Sequence, residues 1–192
     1  MIDQTASAPC LQETRAHGSR TIRILSASDV DQFQAHLLRL EAGCRRSRFG
    51  NVASDNFVRA YAARIDHSNT VVAACFVDGQ MRGAAELRSL DATWSRAAEA
   101  AFSVEGHWQG QGIGTALMSH VIATARERSV EHVHLSCHAF NRKMQRMAAR
   151  VAAKLKFEDG ECFADIEVRQ EDMAPALDAS DQSITVLHVQ RG

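Results

Sequence analysis

The chain has 192 residues, 45% of them hydrophobic, and a formal net charge of −1 at neutral pH. That length suits one domain with a real core, and the charge balance offers no basic surface for nucleic acid. No apolar run approaches the roughly 20 residues of a membrane span, and residues 1–19 lack the apolar stretch of a signal peptide.

Residues 1–19 read as a disordered leader and 20–192 as a single domain. Residues 21–25 alternate as a first strand. Ser28 and Asp29 offer N-caps for a helix to about Glu41, with Val30, Phe33, Leu37, Leu38 and Leu40 on its apolar face. Residues 44–51 form a basic turn with Arg45, Arg46 and Arg48, and Ser54 or Asp55 caps a second helix over 56–63. Residues 70–77 are nearly all apolar, as in a strand buried on both faces. Asp78-Gly79 marks a hairpin turn into a strand over 82–90. A loop at 91–95 leads to a fourth strand, 97–104. A long helix over 112–128 carries Ile113, Leu117, Val121, Ile122 and Ala125 on one stripe. A fifth strand covers 132–137, and Asn141 caps a helix to about Lys154. Residues 162–169 and 183–189 read as strands joined by an acidic loop, 170–182. This order indicates a mixed α/β sheet with helices on its faces.

Between the fourth strand and the long helix lies Gln109-Gly110-Gln111-Gly112-Ile113-Gly114. Glycines there let a ligand approach the backbone. The helix start adds unpaired N–H groups and a partial positive charge, which together make a phosphate or pyrophosphate site. Thr115-Ala116 after Gly114 rules out the Lys-Ser or Lys-Thr of a P-loop. Counting from Gly110, the dinucleotide fingerprint fails at its sixth position, which is Thr115.

Five cysteines (10, 44, 75, 137 and 162) have no regular spacing and read as free thiols of a reducing cytoplasm. His132, His134 and His138 gather around Cys137, but His132 and His134 alternate with Val133 and Leu135 and read as one strand face. No metal is expected there.

Gln109, Gly112 and Gly114 fit Gln-x-x-Gly-x-Gly, which resembles the coenzyme A pyrophosphate loop of the GNAT superfamily of acyl-CoA-dependent N-acyltransferases. Asn141 after the fifth strand resembles the family's Asn that reaches the pantetheine arm. Lys154-Leu155-Lys156-Phe157 is similar to its Lys-Leu-Gly-Phe helix ending, with Lys156 in place of Gly. The likeness covers residues 21–169.

The resemblance implies a mainly antiparallel sheet whose fourth and fifth strands splay apart, with helices on both faces. Pantetheine would complete the ladder along Phe102 and Val104 by β-augmentation. Pyrophosphate would meet the N–H groups from Gln109 to Thr115, with Arg142 and Lys143 toward outer phosphates. Acetyl-CoA is the implied co-substrate, an amine the acceptor, and the implied protein a monomer or homodimer needing no nucleic acid, membrane or metal.

The family's general-acid Tyr would fall near Ala152, and the sole Tyr, Tyr61, is distant in sequence. Water, Ser136, Cys137 or His138 are the remaining proton donors for the leaving thiolate, which can also depart unaided. Residues 98–104, followed by Trp108-Gln109, resemble bacterial protein lysine acetyltransferases, as do 37–40 and 45–49. In those relatives a Glu at the place of Glu99 acts as general base. Glu99 has Ala97, Ala101 and Ser103 on its strand face, small neighbours that would desolvate it, although Arg88 or Arg96 could pair with it instead. Glu86 is the alternative base, and the Val104 N–H the expected oxyanion donor. Lysine on a protein is the expected acceptor; a small amine, or a non-catalytic acyl-CoA-binding role, are the alternatives.

Overall fold

The computed structural model describes residues 19–168 and the backbone of Ile184–Val186. Residues 1–18 of the expected leader and the expected loop at 170–182 lie outside them.

The apolar run at 70–77 forms β2 (Thr70–Val77), buried at every position. It lies inside a sheet between β1 (Arg20–Ile24) and β3 (Gln80–Ser89). The turn between β2 and β3 places both Asp78 and Gly79 at positive φ, 51° and 76°, which is the backbone a two-residue hairpin needs. β4 (Ala97–Val104) adds antiparallel to β3, and β5 (His132–His138) adds parallel to β4. With β6 (Lys154–Glu158), β7 (Glu161–Glu167) and β8 (Ile184–Val186), the described strands run in the order β6-β7-β5-β4-β3-β2-β1-β8. Among the described strands only β4–β5 and β1–β8 pair parallel.

Helices cover both faces. On one side α1 (Val30–Arg39) and α3 (Asp55–Ala63) bury Phe33, Leu37, Val58 and Ala62 against Val72, Ala74 and Ala84. On the other, α4 (Ile113–Glu127) buries Ile113, Leu117, Met118 and Val121 against Ala85, Leu87, Ala98 and Ala100, beside α5 (Arg142–Arg150). Each large apolar side chain so buried contributes about 1.5–3 kcal/mol. Gly83 lets β3 reach the start of α4: a Cβ there would lie 2.8 Å from Ile113 Cγ2.

Two expectations are corrected. The basic stretch expected as a turn is a helix, α2 (Ala42–Phe49), closed by Gly50 at φ 73°. Its arginines fasten it, since Arg45 donates to the Leu38 and Ala53 carbonyls and to Asp55. The helix expected to run to Lys154 ends at Arg150, and Ala152 turns the chain with φ 56°. Lys154-Leu155-Lys156-Phe157 therefore lies in β6, a strand. It pairs with β7 through an Asp159-Gly160 turn whose two residues have positive φ.

Candidate active site

β4 and β5 pair only from Ala97–His132 to Glu99–His134. Past Glu99 they part, and β4 runs on to Val104 with no neighbour on that side among the described strands. Glu105 N–H donates to the Arg82 carbonyl on β3 at 3.0 Å. Backbone groups alternate along a strand, so those of Phe102 and Val104 face the gap. The Val104 carbonyl accepts from Gln109 Nε2 at 3.0 Å, which folds the loop back onto the end of β4.

Gln109 opens the loop after a short turn at Gly106–Trp108. Gly110 and Gly112 have φ of 77° and 81°, a region costly to residues with a β-carbon. The first internal bond at the start of α4 runs from Ala116 N–H to the Gly112 carbonyl. No side chain caps this end. The N–H groups of Gly110, Gln111, Gly112, Ile113, Gly114 and Thr115 have no acceptor among the described residues. Six such donors at a helix N-terminus fit a pyrophosphate. Arg20 Nη1 holds the Gln111 carbonyl at 2.9 Å, and Lys143 Nζ reaches Gln109 Oε1 at 2.7 Å. Arg142 instead bonds Gln145 on its own helix. Asn141 spends its side-chain oxygen capping α5, accepting from Met144 N–H at 3.1 Å. Its amide NH2 has no acceptor among the described residues, so it is free to donate.

On the α2 side of the fork is a cleft of about 260 Å³, lined among others by Glu86, Arg88, Glu99, Ser136, His138 and Glu161. Glu99 lies at the fork itself. Its side chain is 41% exposed and accepts from Arg88 Nη2 at 2.8 Å. The expected desolvation by small neighbours is not its environment: the facing Arg88 and solvent reach it instead.

Glu86, directly across from Ala101, is buried. Arg48 donates to its Oε1, and the Tyr61 hydroxyl donates to its Oε2. Tyr61, remote in sequence, is thus a wall of the cleft. Burial and the Glu86 charge push its phenol up to about 12. Burial alone would lower the Arg48 guanidinium, but Glu86 and Tyr61 outweigh it and hold it above its usual value. Sequence reasoning missed this trio because it joins α2, α3 and β3.

Two histidines of β5, His132 and His134, share an acid. His132 and His134 Nδ1 lie 3.3 and 3.4 Å from Asp165 Oδ1, with their rings stacked. Among the described residues no three His, Cys, Asp or Glu side chains are placed to hold a metal ion. None of their helices is long and apolar enough to cross a membrane. Cys44, Cys75, Cys137 and Cys162 are free thiols.

A splayed strand pair that can accept a pantetheine arm, a pyrophosphate-ready helix start and a cleft on the opposite side define an acyl-CoA-dependent transferase. The chain belongs to the Acetyltransferase (GNAT) family, whose model matches residues 35–152. It is an acetyltransferase that moves an acetyl group from acetyl-CoA to an amine.

Solved structures share this fold. The GNAT domain of S. lividans PAT superposes with a TM-score of 0.65 at 23% identity, over 76% of this chain and 89% of that one. yncA of Salmonella typhimurium, solved with its cofactor acetyl-CoA, gives 0.60 at 15%, over 83% and 99%. The ribosomal-protein-S18-alanine N-acetyltransferase of Escherichia coli gives 0.60 at 17%, over 78% and 94%. None of the curated protein sequences compared with the chain matches it.

Proposed function

We propose that the acceptor amine is a lysine side chain of a protein and that Glu99 takes its proton. The observation that carries this reading is the position of Glu99, half-exposed at the fork of β4 and β5 and lining the cleft. Glu86, Glu99 and Glu161 line the cleft against Arg48 and Arg88, so these five side chains leave a net negative charge that favours an ammonium group. The resemblance of residues 98–104 and 45–49 to bacterial protein lysine acetyltransferases supports the same acceptor. The name of the Escherichia coli neighbour states a protein acceptor, an alanine of ribosomal protein S18. A reducing cytoplasm suits the four free thiols found among the described residues. Residues 20–192 act as one catalytic domain.

Bound acetyl-CoA supplies an activated acyl carbon on sulfur. The N–H groups from Gly110 to Thr115 hold its pyrophosphate, with Lys143 alongside. The backbone of Phe102 and Val104 extends the ladder to its pantetheine, and the Asn141 amide donates to the same arm. A lysine ammonium has a pKa of about 10.4, so it must lose a proton before it can attack. Glu99 accepts that proton directly or through one water. The amine nitrogen then bonds to the acyl carbon, and the oxygen that gains charge faces the Val104 N–H. As the carbon–sulfur bond breaks, the nitrogen gives up its second proton and the leaving thiolate takes one up, the transfer passing directly or through Ser136, His138 or water.

The test is thiol release from acetyl-CoA with a lysine-bearing protein, a polyamine and an amino acid offered in parallel. Acetylated lysine on the protein with little small-amine turnover supports the reading. Turnover of the small amines alone makes the enzyme a small-molecule acetyltransferase. Acetyl-CoA binding without any thiol release makes it an acyl-CoA-binding module.

A further inference from the structure

His36 lies on α1 with Phe33 and Leu37 on either side of it, on the helix face turned to the sheet, and it is completely buried. A polar ring there must find partners. It finds two, both on the end of β4. Its Nε2 lies 2.9 Å from Ser103 Oγ and its Nδ1 lies 3.2 Å from Glu105 Oε1. Ser103 and Glu105 are the residues immediately before and after Val104. Glu105 also accepts from Arg39 Nε at 2.9 Å and from Arg82 Nη1 at 2.8 Å. Its carboxylate only accepts, so the His36 nitrogen facing it carries the proton.

The same stretch of β4 has lost its β5 neighbour, since the two strands pair no further than Glu99. An edge with one partner opens more easily than an interior strand. The Gln109 side chain then pulls on the Val104 carbonyl from the gap side. One buried ring, bonded to both flanking residues from the α1 side, is placed to resist that pull.

We propose that His36 is a positioning residue: it staples Ser103 and Glu105 so that the Val104 N–H is fixed in the gap. This rests on the reading of Val104 as the oxyanion donor. His36 touches neither substrate nor cofactor and acts through β4 alone.

The experiment compares wild type with His36→Phe, which fills the volume and removes both bonds. Three quantities are read: kcat, the acetyl-CoA Kd, and hydrogen exchange at the Ser103 and Glu105 amides against those of β2. A displaced donor costs up to about 100-fold, so kcat should fall by about ten- to 100-fold, well beyond any rise in Kd. Exchange should quicken at Ser103 and Glu105 and stay slow in β2. Wild-type kcat and exchange, or exchange quickened evenly across the sheet, would overturn the proposal. Should His36→Phe fail to fold, Ser103→Ala decides. It keeps the bond to Glu105, and the staple requires the same local exchange and a smaller fall in kcat; wild-type values for both would overturn it. A wild-type enzyme that releases no thiol with any amine would sink the proposed reaction, while exchange would still report on the staple.

Discussion

Arg88 and Glu99 face each other across β3 and β4, and the guanidinium donates to the carboxylate at 2.8 Å. The pair sits where β4 and β5 begin to part, with Arg88 56% and Glu99 41% exposed. An exposed ion pair contributes about 0–1 kcal/mol to stability. The fold therefore does not depend on Glu99, and changing it probes chemistry.

Glu86 is the opposite case. It is the only carboxylate bonded to buried Arg48 among the described residues, and Tyr61 shares it. Removing one partner of a buried pair costs about 3–5 kcal/mol. Glu86→Gln should lower the melting temperature by several degrees while retaining turnover at temperatures where it is folded. A folded Glu86→Gln protein with no turnover would move the base role to Glu86.

Gly112 holds φ 81° with open space where a β-carbon would go. The penalty of a side chain there is conformational, about 1–2 kcal/mol, and it falls on the loop whose N–H groups are proposed to hold the pyrophosphate. Millimolar acetyl-CoA should raise the wild-type melting temperature by mass action, and Gly112→Val should abolish that shift. An equal shift in both proteins would remove the loop from the binding site.

Glu105 gives the fold an acid-sensitive contact. Burial works to raise its carboxyl, but hydrogen bonds from His36, Arg82 and Arg39 outweigh it and hold it at about 2, against an ordinary 4.5. A depressed carboxylate stabilises the fold fully above its unfolded value, and that contribution is lost as pH falls from about 4.5 toward 2. Urea midpoints of wild type and Glu105→Gln should therefore differ most at about pH 6, differ by less than half as much at about pH 3, and converge only below about pH 2. A difference that stays constant over that range would mean the carboxylate charge is not what holds α1 to β4.

The glycine loop and the strand position of Glu99 were legible because each rests on local pattern: glycine spacing, alternation and the start of an amphipathic helix; the splayed strand pair was expected only through the family resemblance. α2 was not, because it has little apolar periodicity and is held by Arg45 reaching backbone carbonyls. β6 carried a readable signal in Asp159-Gly160, a two-residue hairpin turn between alternating segments, which the motif likeness of 154–157 to a helix end obscured. The trio around Glu86 and the His36 staple join residues 25 and 69 apart in sequence, and no local pattern encodes such contacts. His36 did leave a trace, as the one polar side chain in the apolar stripe of Phe33, Leu37 and Leu40.

The central claim is that Glu99 removes the proton from the attacking amine. Its most direct test is the pH dependence of kcat for wild type and Glu99→Gln with a lysine acceptor under saturating acetyl-CoA. At about pH 7 the variant should be slower by about 10²- to 10⁴-fold with acetyl-CoA affinity unchanged. The deficit should shrink toward about pH 10, where lysine loses its own proton. A Glu99→Gln enzyme with wild-type kcat at neutral pH, or with a deficit equally large at every pH, would contradict the account.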